Sequence, residues 1–254
     1  MKDWDGTGAG YAASYESLCV GTVPMLRQRL GAADGRTMLD VGSGTGALAA
    51  EFLSAGWDVT ACEPEPTMRA VAAQLRPQLT LVVGSLPALP FPDSAFDVTV
   101  ANFVLNHVGD PRASARELVR VARGGLAASI WSTSPSWFWR EVCDRAGLAP
   151  VEATRLPAEK DFDRSAAGFA SMLEDAGWAG VEVAEHTWIW YASPQELWAS
   201  AEGGVATAGA FYRALDADGR VAFRGGFDAV CADRSVGDHV PLEHTAAIAT
   251  ALAR

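Results

Sequence analysis

The chain has 254 residues, 49% hydrophobic and 20% charged, a balance that suits a globular protein of one large domain and not a disordered chain. Its formal charge is −11, from 31 acidic and 20 basic side chains with no block of Lys and Arg, which argues against a nucleic-acid or anionic-membrane partner. The four cysteines, Cys19, Cys62, Cys143 and Cys231, are far apart and form no CxxC pair, so no zinc or redox motif and no disulfide framework is expected. The N-terminal stretch MKDWDGTGAGYAASYESL is polar, and no run approaches the roughly 20 apolar residues that cross a bilayer. A soluble, cytoplasmic protein is expected.

The first half alternates short apolar runs with helical patterns. RTMLDV (36–41) is a strand that ends in glycines, and residues 45–55 form a helix. DVTACE (58–63) is a second strand, 66–75 a helix closed by Pro77, and LTLVV (79–83) a third strand. FDVTVAN (96–102) is a fourth strand. Residues 111–123 are a helix with Pro111 at its start and Gly124-Gly125 as its stop, and 126–131 is a fifth strand. Strands that alternate with helices predict βαβ units, hence a mostly parallel sheet with helices on both faces. Further on, 136–146 and 165–176 read as helices, VEVAEHTWIWY (181–191) as a sixth strand and 240–250 as a closing seventh. Residues 194–230 read as helices broken by Gly203-Gly204, Gly219 and Gly225-Gly226, a long insertion between the last two strands of the kind that covers a binding site.

The sharpest signal is LDVGSGTG (39–46), a strand running through a glycine-rich turn into a helix. Gly42, Gly44 and Gly46 clear side chains so that backbone can approach a ligand, at the turn where open α/β sheets seat nucleotide-like molecules. Gly42, Gly44 and Ala47 also satisfy a loose G-x-G-x-x-A dinucleotide pattern, which keeps an NAD-dependent oxidoreductase as an alternative. Two acids separate the readings. Asp40, two residues before the first glycine, suits a cationic, amine-bearing ligand and repels a pyrophosphate. Glu63, at the end of the second strand, can accept from both hydroxyls of a ribose. Alternatively, Asp40 caps the following turn and Glu63 is a solvated strand end. Positive charge, an amino group and a ribose together describe S-adenosylmethionine better than NAD.

LDVGSGTG, the acidic end of VTACEP, the segment GSLPALPFPDSAFDVTVANFVLNHVGDP and the later RGGLAASIW together resemble the class I S-adenosylmethionine-dependent methyltransferases. The match is closest to the small-molecule, ubiquinone-type group and covers about residues 11–131. The resemblance implies a Rossmann-like, doubly wound sheet of seven strands with a helical lid between the last two. Residues 1–35 would be an N-terminal helical cap, 36–135 the cofactor-binding core and 136–254 the rest of the same fold, with the lid at about 194–230. It also implies roles for individual residues. Asp40, Gly42, Ser43, Gly44 and Gly46 would hold the methionine moiety, and Glu63 the ribose. Pro64, Met68, Ser85 and Leu86 would lie beside the adenine. Asn102 would offer its backbone carbonyl to the cofactor amino group, near Phe103. Tyr11 and Tyr15, on one N-terminal helix, would close over the cofactor. Where the family often has Asp to accept from the adenine amino group, this chain has Ser85, a weaker acceptor.

Methyl transfer from a sulfonium needs alignment and desolvation first, and a base only where the nucleophile arrives protonated. His107, just past the fourth strand, is the candidate catalytic base; the alternative is that it orders its loop through a backbone hydrogen bond. His186 and His244 on the late strands read as packing residues, and Glu202 as a solvated helix position. Seven of the nine tryptophans lie after residue 130, and Trp131, Trp137 and Trp139, with Phe138, follow the fifth strand at the ligand edge. They form either an aromatic wall for an acceptor or the core of the helical insertion. The expected activity is methylation of a small, largely apolar or aromatic metabolite, such as one of secondary metabolism. A bound S-adenosylmethionine that promotes cyclisation without transfer, or that serves only in binding, is the alternative within the same fold. No metal is expected.

Overall fold

The computed structural model describes residues 4–149 and 156–253; the first three residues of the polar N-terminal stretch lie outside them. One seven-stranded sheet organises the chain, in the order β3-β2-β1-β4-β5-β7-β6. The strands are β1 (Thr37–Val41), β2 (Asp58–Cys62), β3 (Thr80–Val82), β4 (Phe96–Asn102), β5 (Ala122–Thr133), β6 (Ala179–Ala192) and β7 (Val240–Leu252). Pairs among β1 to β5 are parallel, whereas β7 runs antiparallel to both β5 and β6. The order reverses between β1 and β4, which opens a crevice at the carboxyl ends of those strands.

The central strands are buried on both sides, as their apolar runs require. Leu39 and Val41 face one core with Leu118, Leu126, Phe169 and Trp178; Met38 faces the other with Phe52, Trp57 and Val98. Helices α1 (Gly8–Ala12), α2 (Tyr15–Cys19) and α3 (Val23–Leu30) precede β1. α4 (Ala47–Ser54), α5 (Pro66–Leu75) and α6 (Pro111–Val121) are the crossovers, and α7 (Trp137–Ala146) and α8 (Ala166–Asp175) follow β5. Starts are set by side-chain caps: Glu65 accepts from the Thr67 N–H at the head of α5, and Asp110 from the Ala113 N–H at the head of α6. The insertion between β6 and β7 is α9 (Pro194–Glu202), α10 (Ala206–Ala214) and α11 (Ala217–Arg234). A capping box between Ser193 and Glu196 starts α9. The insertion packs on α7 through a third core built from Phe138, Val142, Leu197, Phe223 and Phe227.

Two local expectations are corrected. Gly124 and Gly125 do not end α6, which stops at Val121; they lie inside β5. A side chain at Gly125 would stand 3.0 Å from Val98 Cγ2 on β4, and one at Gly124 3.1 Å from the Asp97 carbonyl, so the glycines allow the close approach of two strands. Tyr11 and Tyr15 do not share one helix. The Ser14 hydroxyl donates to the Gly10 carbonyl at 2.6 Å, and the chain breaks there between α1 and α2.

Gly125→Val is therefore expected to destabilise the protein by about 1–3 kcal/mol through overpacking against Val98. Gly109→Ala, whose added carbon meets nothing within 4 Å, should change stability little. Urea unfolding of both variants checks this; equal midpoints would contradict the strand placement.

Candidate active site

The glycine turn is built by backbone that side chains could not follow. Gly42, Gly44 and Gly46 have φ of 66°, 57° and 82°, and Gly42 passes so close to β4's following loop that an added carbon would lie 2.6 Å from Val104 Cγ2. Gly42 and Ser43 donate their N–H groups to the Cys62 carbonyl, which ties the turn to the end of β2. Gly46 serves packing: an added carbon would meet Leu79 Cδ1 at 2.6 Å. Gly44 has space, its nearest neighbour being the Tyr11 ring at 3.6 Å.

Two buried carboxylates flank this turn. Asp40 is 1% exposed; the Ala49 backbone supports it, while Oδ2 has no partner among the described residues. Burial, and secondarily the charge on Glu63, push its pKa up to about 7. Glu63 is 7% exposed, and burial raises its pKa as well. Its oxygens accept from the Gly44 N–H and the Glu65 N–H, both at 2.9 Å. Each oxygen retains a second lone pair for a ligand hydroxyl.

Gly42 and Gly44 of the turn, with Glu63, border one cavity of about 1160 Å³ at the carboxyl edge of the sheet. Of the residues expected from the sequence, Tyr11, Tyr15, Gly42, Gly44, Glu63, Pro64, Met68, Ser85, Leu86, Asn102, Phe103 and His107 line it. Asp40, Ser43 and Gly46 stand behind that lining. Ser85 is exposed at the rim, and its hydroxyl donates to the Leu86 carbonyl. The Asn102 side chain is spent on structure: Oδ1 accepts from Thr22 and Ser129, and Nδ2 donates to the Cys19 carbonyl. Phe103 has φ +59°, held by its N–H donating to Ser129, and its ring stacks on Trp131 at 3.8 Å. His107 closes a turn by donating its N–H to the Val104 carbonyl at 2.8 Å, and its ring meets the Trp4 ring at 5.3 Å.

The N-terminal helices cover the cavity. Gly8 donates to Thr67 Oγ1, and Arg76 joins Glu16 of α2 to the Thr45 carbonyl of the glycine turn. Burial raises the pKa of both tyrosines; the Tyr11 hydroxyl lies against the Cys19 thiol, and Tyr15 accepts from Trp139 Nε1.

The cavity changes character along its length. Its acids, Asp5, Glu63 and Glu65, belong to the N-terminal segment and the β2 end; Trp131, Phe138, Trp139, Trp190, Phe211 and Phe223 line the part under the insertion. Trp137 is 39% exposed and does not line it, whereas Phe138 and Trp139 both line the cavity and pack with the third core. Glu202 is exposed and outside the lining, and His186 stacks on Trp188 at 5.4 Å. Trp190, Phe211, Phe223 and His244 reach the cavity without a local signal in the sequence, because the β5-β7-β6 order that brings them there is not local. Among the described residues, no group of three His, Cys, Asp or Glu side chains is placed to hold a metal, and no helix is long and apolar enough to cross a membrane.

Strand order, glycine turn and paired acids define a nucleotide-type site that favours positive charge, as in a methyltransferase with a sulfonium cofactor. Comparison with known proteins agrees. Residues 39–128 match a family model described as a methyltransferase domain. A demethylmenaquinone methyltransferase of Beutenbergia cavernae is 32% identical over 167 residues, 60% of this chain and 69% of that protein. The YcgJ protein of Bacillus subtilis has the same fold, with a TM-score of 0.58 at 16% identity over 92% of this chain and 98% of that one. So does phosphoethanolamine N-methyltransferase 2 of Haemonchus contortus, solved with phosphomonomethylethanolamine and S-adenosylhomocysteine. Its TM-score is 0.53 at 15% identity, over 91% of this chain and 52% of that one. The chain belongs to the class I S-adenosylmethionine-dependent methyltransferases, and S-adenosylmethionine is its cofactor. The residues fit that cofactor: two buried acids and an orphaned carboxylate oxygen call for a cation with hydroxyl and ammonium donors.

Asp40 gives a paired prediction. Native Asp40 keeps its proton up to about pH 7, whereas an unfolded Asp releases it near 3.9, so ligand-free stability falls as pH rises through that window. Asp40→Asn should match the wild-type Tm near about pH 4 and exceed it near about pH 8 without cofactor. The same variant should bind S-adenosylmethionine roughly 10- to 150-fold more weakly, as for loss of a hydrogen bond to a charged group. Calorimetry showing unchanged affinity would remove Asp40 from the site.

Proposed function

We propose that this enzyme methylates a small, largely apolar or aromatic acceptor held under the α9–α11 insertion. The observation that carries the reading is the aromatic wall of Trp131, Phe138, Trp139, Trp190, Phe211 and Phe223 around the part of the cavity away from the acids. Flat rings offer an apolar or aromatic molecule large contact area at little entropic cost. The relative named for demethylmenaquinone, a quinone, points to the same acceptor chemistry.

In this reading Asp40 and the Gly42–Gly46 turn, with Ser43, hold the methionine part of the cofactor. Glu63 holds the ribose. Pro64, Met68, Ser85 and Leu86 border the adenine, and the Asn102 carbonyl beside Phe103 takes the amino group. Tyr11 and Tyr15 close the cavity from above. The bound cofactor supplies an activated methyl group on a sulfonium, open to in-line attack. The chain's own contribution is alignment and exclusion of water: α1, α2 and the insertion cover the crevice, and the aromatic wall fixes the acceptor. His107, tied to Val104 through its backbone, holds the loop after β4 in place.

The assay is incubation with methyl-labelled S-adenosylmethionine and a reduced naphthoquinone. The expected result is one labelled methyl on the acceptor per S-adenosylhomocysteine released. A product isomeric with the acceptor, with no S-adenosylhomocysteine, would replace this reading by cyclisation.

His107→Gln separates anchor from base. The backbone bond to Val104 survives this change, so if the ring serves only to pack against Trp4, its loss lowers Tm and cofactor affinity while kcat falls less than about tenfold. A fall of roughly 10²–10⁴-fold in kcat, with Tm and cofactor affinity unchanged, would make His107 the general base.

A further inference from the structure

His244 lies on β7, which runs antiparallel to both β5 and β6, so its early residues reach the same edge of the sheet as the ends of β4 and β5. The side chain is 6% exposed and lines the cavity. Its surroundings are aromatic: ring centroids of Trp131, Trp188 and Trp190 lie 5.3, 6.2 and 6.2 Å away. An imidazole in such a wall is the exception to be explained, since burying a polar nitrogen without a partner is unfavourable.

Half of the ring is accounted for. Nδ1 lies 3.0 Å from the Leu242 carbonyl of the same strand. A carbonyl only accepts, so Nδ1 carries the proton. In the neutral ring Nε2 is then a bare lone pair. It has no partner among the described residues. Burial lowers the His244 pKa, and no charged side chain acts to restore it, so the ring is neutral near neutral pH.

Building on the aromatic-acceptor reading, we infer that His244 Nε2 is the hydrogen-bond acceptor that selects methyl acceptors carrying an O–H or N–H donor. The tryptophans recognise the ring's faces, and His244 recognises a donor on its edge. An acceptor whose polar substituent is replaced by a methyl would bury Nε2 unpaired, and a site built around one hydrogen bond discriminates strongly against a ligand that cannot make it. The position of His244 beside Trp131, which stacks on Phe103 just past the end of β4, puts this contact at the β4–β5 end of the cavity lining.

The test uses the full chain saturated with S-adenosylhomocysteine, with 1-naphthol and 1-methylnaphthalene as ligands of nearly equal shape. Affinities are read by tryptophan fluorescence, and the His244 imidazole nitrogens by ¹⁵N NMR. The wild type should bind 1-naphthol about tenfold or more tightly than 1-methylnaphthalene, and 1-naphthol alone should move the Nε2 resonance. His244→Phe should bring the two affinities within about twofold, mostly by weakening 1-naphthol, and His244→Gln, whose amide oxygen accepts, should restore part of the preference. Equal wild-type affinities with an unmoved Nε2 resonance would overturn the inference, as would a full preference retained in His244→Phe. These wild-type readouts decide the matter even where His244→Phe does not fold. Failure of both ligands to bind while S-adenosylhomocysteine binds would overturn the aromatic-acceptor reading, and this inference with it.

Discussion

Two buried carboxylates at adjacent strand ends, Glu63 with Arg69 acting on it and Asp40 with no cation acting on it among the described residues, set the terms for the rest of the site. The parallel register that pairs Asp40 with Ala61 and Val41 with Cys62 brings Asp40 and Glu63 to one crevice. Burial raises both pKa values, and each acid is one cause or another of the perturbation around it: Glu63 acts on Asp40, Tyr11 and Cys62. A fold selected for stability alone would not keep an orphaned Asp40 oxygen in its interior. Keeping it makes sense where a cationic ligand completes the site, the ordinary trade between stability and function. The glycine turn follows from the same constraint, because only backbone that reverses at positive φ can offer the Gly44 N–H to Glu63 and leave room above it.

The acid-lined and aromatic-lined parts of the cavity are joined mechanically at the ends of β4 and β5. Asn102 binds the α2 end through the Cys19 carbonyl and the following turn through Thr22, and accepts from Ser129 on β5. Phe103 is then forced to positive φ, with its N–H directed at Ser129. That rotation lays its ring flat on Trp131, which in turn adjoins Trp188 and His244. A strained residue over-determined by its neighbours thus links the end of β4 to the aromatic wall.

What was legible in the sequence follows the range of each interaction. The glycine turn, Asp40 and Glu63 announce themselves within 25 residues, because a strand, a turn and the next strand are local and their chemistry is stated by residue type. All seven strands were legible from β-branched and apolar runs for the same reason. Gly124-Gly125 was misleading, since a glycine pair after a helix looks alike whether it stops the helix or lets β4 approach β5; only the pairing of Val98 with Gly125 decides. Asn102 was legible as a position but not as a side chain, whose partners on α2, the following turn and β5 are 27 to 83 residues away. His244 read as packing, and it is packed. That it also faces the cavity depends on β7 entering between β5 and β6, which no local pattern encodes.

The N-terminal helices show why the cover over this site must be small at its crossings. An added carbon at Gly8 would lie 2.4 Å from the Thr67 carbonyl oxygen at the start of α5. One at Gly10 would lie 2.7 Å from Gly203 Cα, and one at Gly203 would lie 2.6 Å from Gly10 Cα, at the end of α9. Backbone therefore meets backbone on both sides of α1, where contact with no side chain between permits the tightest closure. One face of α1 rests on the helix that follows Glu63, and the other on the insertion that carries Phe211 and Phe223 of the aromatic wall. Any side chain at Gly10 or Gly203 must push these elements apart, because no rotamer moves a Cβ. Separation there would open the cavity to water above Tyr11 and Tyr15, whose buried side chains follow that crossing in the chain. The two parts of the site, one polar and one aromatic, share one cover, and the glycines are what allow one short helix to serve both.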